Sequence, residues 1–236
     1  MRGGTSCLTA LLLALICSLC TAHRPIFSDR AATDADTAVM IAEPEVSQVI
    51  YRETTDKTPH AWLALDAEAG FELFIQIGVP VLDRLKSFRP AMVVIGPGLP
   101  DKPLPIPVPK GNGARNFATD DVKDPRFFHE HFTGTDSWIL RSETVALPRT
   151  GRYYVVAYAS SGQTGKLWLS VGRKEVFGPA DLAEFAEWKK RVREFHEVAE
   201  ERREPKAPFL RQLRRLLRTD SKKSEGEHEH GPDAQK

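Results

Sequence analysis

The chain has 236 residues, with 33 Lys and Arg against 32 Asp and Glu and a formal net charge of +1. So even a balance excludes whole-molecule attraction to nucleic acid. All three cysteines, Cys7, Cys17 and Cys20, fall in the first 22 residues, so the rest of the chain has no disulfide framework and no thiolate for catalysis or for a blue-copper site.

Residues 1–22 read as a secretory signal. Arg2 supplies a positive start, and Leu8 to Cys20 is an apolar run of signal length, short for a bilayer. Cys20-Thr21-Ala22 places small residues at the cleavage site. A lipoprotein anchor on Cys17 or Cys20 fits poorly, because Ile16 and Leu19 are bulky where that processing wants small residues. A cut after Ala22 makes His23 the first residue of a secreted or periplasmic protein. The leader carries one Arg and no acid, so positive and negative residues of the mature chain are equal in number. No later segment is long and apolar enough to cross a membrane.

Residues 23–45 read as an N-terminal arm with one apolar stretch, Val39-Met40-Ile41. Residues 46–177 read as a single β domain, since short apolar or alternating runs are separated by turn residues. The runs are Val46 to Arg52, Ala61 to Asp66, Phe71 to Val79, Ala91 to Ile95, Ser137 to Arg141, Glu143 to Leu147, Tyr153 to Tyr158 and Lys166 to Val171. In the third, Phe71, Leu73, Ile75 and Ile77 fall on one face, with Glu72 and Gln76 opposite. No helical pattern separates the runs, which predicts a mainly β fold, a jelly-roll or Ig-like β-sandwich, with a C-terminal helical tail.

Residues 97–119 read as one long loop. Pro97, Pro100, Pro103, Pro105, Pro107 and Pro109 remove backbone donors and fix extended φ. Such a loop is a binding element or an ordered lid over an open end of the sandwich. Residues 178–218 read as the helical tail. Leu182, Phe185, Trp188, Val192 and Phe195 recur at helical spacing and should dock on the β domain. Residues 209–218, basic and amphipathic, suit an anionic membrane surface or a solvated end helix. Residues 219–236 are polar and read as disordered.

The stretch from Trp62 to Val171 resembles bacterial pre-peptidase C-terminal domains, small secreted jelly-roll sandwiches. The likeness lies in Trp62-Leu63-Ala64-Leu65-Asp66-Ala67-Glu68-Ala69-Gly70 with Phe71 to Ile77, in Leu147-Pro148-Arg149-Thr150-Gly151-Arg152-Tyr153-Tyr154-Val155-Val156, and in Gly165-Lys166-Leu167-Trp168-Leu169-Ser170-Val171. It covers under half of the chain. The resemblance implies a non-catalytic accessory or binding role and carries no catalytic residues. The proline loop, the Phe127 to Trp138 segment and the tail depart from the pattern.

Two sets of residues carry possible metal chemistry. A mature N-terminal histidine offers its α-amine and its ring, and His23 is in this respect similar to the histidine-brace copper proteins, secreted sandwiches that include copper carriers and lytic polysaccharide monooxygenases. Imidazole suits copper, and divalent copper tolerates a nitrogen-rich square-planar site. The second histidine would come from Phe127-Phe128-His129-Glu130-His131-Phe132. On a strand, His129 and His131 share a face and Glu130 points the other way. Asp136 is placed to orient one of them, or to cap the next strand. Without a metal, the pair reads as surface or helix-capping histidines.

His60, after Pro59, is a lesser candidate, and His228 and His230 lie in the polar tail. Asp120, Asp121 and Asp124 lack EF-hand spacing. No Gly-x-Ser-x-Gly elbow, phosphate loop or His-Glu-x-x-His helix occurs. The reading is an exported, non-catalytic binding protein taking copper through His23 with His129 or His131. The alternatives are a metal-free protein- or glycan-interaction module and a copper monooxygenase.

Overall fold

The computed structural model describes residues 23–28, 32–159 and 162–199. Its strands, in chain order, are β1 (Arg24–Ile26), β2 (Val39–Ile41), β3 (Gln48–Thr54), β4 (His60–Ala67), β5 (Glu72–Pro80), β6 (Pro90–Gly96), β7 (Gly113–Phe117), β8 (Arg126–Glu130), β9 (Thr135–Ala146), β10 (Gly151–Ala159) and β11 (Gly165–Val171). One helix follows, α1 (Pro179–Phe195). The strands form two sheets. Sheet A runs β1-β3-β11-β5-β9-β8 and sheet B runs β2-β4-β10-β6-β7. The fold is a mainly β two-sheet sandwich with a C-terminal helix, as the alternating runs predict.

Alternation along each strand builds the core between the sheets. Leu73, Ile75 and Ile77 of β5 face Leu63 and Leu65 of β4, Met92 and Val94 of β6, and Tyr153 and Val155 of β10 within one cluster of buried side chains. Each such side chain contributes about 1.5–3 kcal/mol on leaving water. The opposite residues of sheet B are also apolar. Trp62, Val93, Ile95 and Val156 form a second cluster, covered by Leu104, Ile106 and Val108 of the proline segment. The prolines thus lay a chain across the outer face of sheet B. With both faces covered, β6 reads as a continuous apolar run. The last part of the predicted loop is strand β7, paired with β6.

The predicted arm is part of the sandwich. β1 pairs in parallel with β3, Arg24 opposite Gln48, and β2 pairs in parallel with β4, Val39 opposite Leu63. Each is an edge strand of its sheet. The two predicted runs between Ser137 and Leu147 are one strand, β9. Its register against β5 shifts between Ile77 and Gly78, so that Leu140 and Arg141 together oppose Ile77. This bulge keeps Leu140 in the core while Ile139 joins Val49 and Trp168 on the outer face of sheet A.

Helix α1 covers that outer face. Phe195 meets Tyr51 at 5.1 Å between ring centroids, Phe185 meets Phe132 at 5.0 Å, and Trp188 and Val192 are buried. Leu182, also on the predicted stripe, is exposed. No helix among the described residues is long and apolar enough to cross a membrane. The segment 209–218, the polar stretch 219–236 with His228 and His230, and the leader 1–22 lie outside the described residues.

Candidate functional site

The polar centre of the molecule lies between sheet A and the end of α1. It begins with a glycine. Gly78 of β5 carries no Cβ, and one built there would fall 2.3 Å from the Trp168 ring and 2.7 Å from the Trp138 carbonyl. The bare backbone lets the Trp168 indole lie across β5, where its Nε1–H donates to Ser137 Oγ of β9 at 3.0 Å. Ser137 also contacts His196 Nε2, at 3.1 Å. His196 Nδ1 lies 2.8 Å from the Val192 carbonyl, which only accepts. Nδ1–H therefore donates to Val192, and in the neutral ring that burial favours Nε2 accepts from the Ser137 hydroxyl.

His196 is delivered by the helix end. It is the C-cap residue, followed by Glu197 at φ +56°. The Val198 N–H bonds the Arg193 carbonyl at 3.0 Å and the Glu197 N–H bonds Glu194 at 3.1 Å, a Schellman closure. Arg193 also donates to the Thr133 carbonyl at 3.1 Å, tying the last turn to the β8–β9 connection.

His23, Tyr51, Glu130, Ser137, Trp168 and His196 border one small cavity of about 20 Å³, room for about one water. His23 Nδ1 meets Ser47 Oγ at 2.5 Å. Glu130 accepts from the backbone N–H groups of Phe132 at 2.8 Å and Thr133 at 2.7 Å, and from the Thr133 hydroxyl. Burial pushes the His23 and His196 rings below the usual histidine range, although the Glu130 carboxylate pulls each part of the way back. For His196, the bond to Val192 and the charge of Asp136 also favour protonation, and Lys166 opposes it. Burial, and then Glu130, raise the Tyr51 phenol far above its ordinary value. Ser137 and His196 are within hydrogen-bond reach of each other beside this water-sized space.

The predicted histidines stand outside this cavity, His129 on β8 and His131 in the turn that follows it, since the strand ends at Glu130. His129 and His131 stand together, ring centroids 4.9 Å apart in an edge-to-face arrangement. Both are exposed. Asp136, directly across the strand pair, holds His129 Nδ1 at 2.6 Å. Strand alternation sends Glu130 to the other face, where it meets the surroundings of His23. The three predicted metal residues thus fall at two places, His23 in the cavity and His129 with His131 outside it. Among the described residues no group of three or more His, Cys, Asp or Glu is placed to hold one ion. His60 Nδ1 lies 3.4 Å from the Thr33 carbonyl, and Asp121 pairs with Arg141 at 3.1 Å.

No family model matches this chain. No curated protein matches it either. Among solved structures it is similar to one described as the pre-peptidase C-terminal domain of a collagenase from Bacillus anthracis, at 10% identity over 57% of this chain and 93% of that one. The TM-score is 0.29, and a likeness of that size carries no argument.

His196 and Glu130 are the site residues that sequence reasoning missed. Glu130 stood in plain view between two histidines, and the period-2 rule already sent it to the opposite face. His196 had one signal, its place just after the last apolar residue of the α1 stripe. An open groove of about 580 Å³ lies at one end of the sandwich, beside Pro44, Glu45, Asp66, Glu68, Phe71 and Thr150. Asp66 there is already paired with Arg152 Nη2 at 2.8 Å.

Proposed function

We propose that this chain is an exported, non-catalytic β-sandwich binding protein that takes a copper ion at the exposed end of β8, through His129 of the strand and His131 of the turn after it. One observation carries the reading. Two imidazoles stand 4.9 Å apart on the surface, and the Asp136 carboxylate holds Nδ1 of the first at 2.6 Å. A carboxylate on Nδ1 fixes the ring and leaves Nε2 as the metal donor, with its basicity raised. Imidazole is a copper ligand, and among first-row divalent ions copper binds nitrogen donors most strongly. Two protein ligands leave the other positions to solvent, which suits a carrier that gives up its ion.

His23 stands outside this set, because its Nδ1 is engaged by Ser47. The export part of the reading rests on the leader-like residues 1–22. The non-catalytic part is supported by the size of the polar cavity, which holds about one water.

Copper titration of protein purified after export, followed by electron paramagnetic resonance, tests the reading. Wild type should bind one equivalent with nitrogen couplings from two imidazoles. The double variant His129→Ala/His131→Ala should lose that signal, and His23→Gln should keep it. A signal that survives the double variant, or is lost in His23→Gln, overturns the assignment. Failure of the wild type to bind copper leaves the metal-free interaction module.

A further inference from the structure

We propose that strand β1 and helix α1 form an acid-sensitive clasp over the outer face of sheet A, with His196 as the residue that releases it. Neither copper nor the leader enters this inference.

The two elements hold each other as well as the sheet. Arg24 of β1 donates to Asp181 of α1 at 2.9 Å and to the Val176 carbonyl at 3.1 Å. Arg191 of α1 lies over the Phe27 ring at 3.8 Å, and Phe27 stacks on Tyr51 of β3. At the other end of the helix His196 reaches the sheet. There the run of bonds from Trp168 to Ser137 to His196 to Val192 gives the Ser137 hydroxyl hydrogen an acceptor when the ring is neutral. A proton on Nε2 takes away the acceptor of the Ser137 hydroxyl. Ser137 Oγ can accept both the Trp168 and the His196 N–H, so the cost is the stranded hydroxyl hydrogen and a positive charge in a buried place.

The charged and titratable groups around His196 come from every neighbouring element. They are Glu130 of β8, Asp136 of β9, Lys166 of β11, Tyr51 of β3 and His23 just before β1, with Arg193 and Glu197 on its own segment. Glu130 favours a charged ring, but its carboxylate is already engaged by three donors from Phe132 and Thr133. Asp136 is engaged by His129. Lys166, fixed 3.0 Å from the Phe195 carbonyl, repels a new positive charge. His23 is a second imidazole at the same cavity.

The sign follows from linkage. Burial lowers the docked His196 below its ordinary value of 6.5, so between the two values the undocked form binds more protons. Docking is therefore strongest above about pH 6.5 and weakens as the pH falls through that range. One linked proton raises the opening constant by up to about tenfold per pH unit. Opening would uncover Val49, Phe128 and Trp168, which pack together beneath the clasp.

Amide hydrogen exchange on the full exported chain in a metal chelator, corrected for intrinsic rates, tests this. Between pH 7.5 and 5, protection of the α1 amides should fall by up to about tenfold per pH unit below 6.5, while β4 and β10 stay protected. In His196→Gln, which bonds without titrating, the fall should flatten. Constant α1 protection to pH 5, or the same slope in His196→Gln, overturns the proposal. If His196→Gln fails to dock α1 at pH 7.5, titration of the wild-type ring by nuclear magnetic resonance decides. A midpoint below 6.5 supports the clasp, and one at or above 6.5 removes it.

Discussion

At Gly78 the absence of one carbon decides where an indole lies. A methyl group there meets both the Trp168 ring and a backbone carbonyl, which cannot both move aside. Gly78→Ala should cost about 1–3 kcal/mol, read as a lower urea midpoint at unchanged slope, with a shift of the Trp168 emission. An unchanged midpoint would mean that the ring does not rest on Gly78. Tyr153 plays a comparable part on sheet B. Fully buried, it donates to the Arg149 carbonyl at 2.7 Å, with the Pro97 carbonyl 3.0 Å away, and accepts from the Arg149 N–H at 3.2 Å. Tyr153→Phe leaves these groups with one partner fewer and should cost about 1–3 kcal/mol, measured by the same melt. The sequence placed His129 beside His131 because they are two residues apart, although the strand it assumed ends at Glu130 and His131 stands in the turn. Spacing could not place His23 or His196, whose neighbours are brought by packing from the two far ends of the chain.

Among the elements, α1 ends in an unusual way. Its Schellman closure puts a left-handed φ of +56° on Glu197, where glycine is the ordinary choice. The side chain offsets part of the strain through ion pairs with Arg84 and Lys166. Arg84, then Lys166, hold its carboxyl down at about 2. This pairing is intact above the ordinary carboxylate range and is lost only as the pH falls below about 4.5, well beneath the range in which His196 acts. Glu197→Gly should keep the helix end and shift stability by no more than about 1 kcal/mol. Glu197→Val, β-branched at positive φ, should fray the last turn, seen as faster exchange of the amides of residues 193–196. Equal exchange in the two variants would show that backbone strain is not what limits this position. The β9 bulge shows the same divide in legibility. A single inserted residue changes which face is apolar, so one strand of 12 residues read as two. β1 and β2, of three residues each, are too short to show a period of two.

At the scale of the molecule the chain stacks four layers, a helix, two sheets and a proline-rich strap. The strap accounts for the apolar residues on the outer face of sheet B. Ile106, nearly fully buried in the loop, packs against the outer face of sheet B. Ile106→Asp should cost about 2 kcal/mol or more, because it carries a charge into that cluster, and should raise binding of an apolar dye at neutral pH. A stability equal to wild type would show that the strap is dispensable. The described fold lies within a compact unit that ends at Val198. A chain ending there should keep the cooperative melt of the full protein, and loss of that transition would show that residues 199–236 belong to the core.

The chamber that His23 and His196 close against sheet A bears on how the protein is made. Sheet A forms most of its wall, and His23 just before β1 and His196 just after α1 complete it, so no partial product that lacks residue 196 can shut it. A nascent polypeptide must hold its leading segment in reserve until the closing helix emerges, and joining points so distant in sequence is among the slower steps a small domain takes. Ribosome-stalled fragments should leave that chamber open to solvent, whatever else in the sandwich has already set.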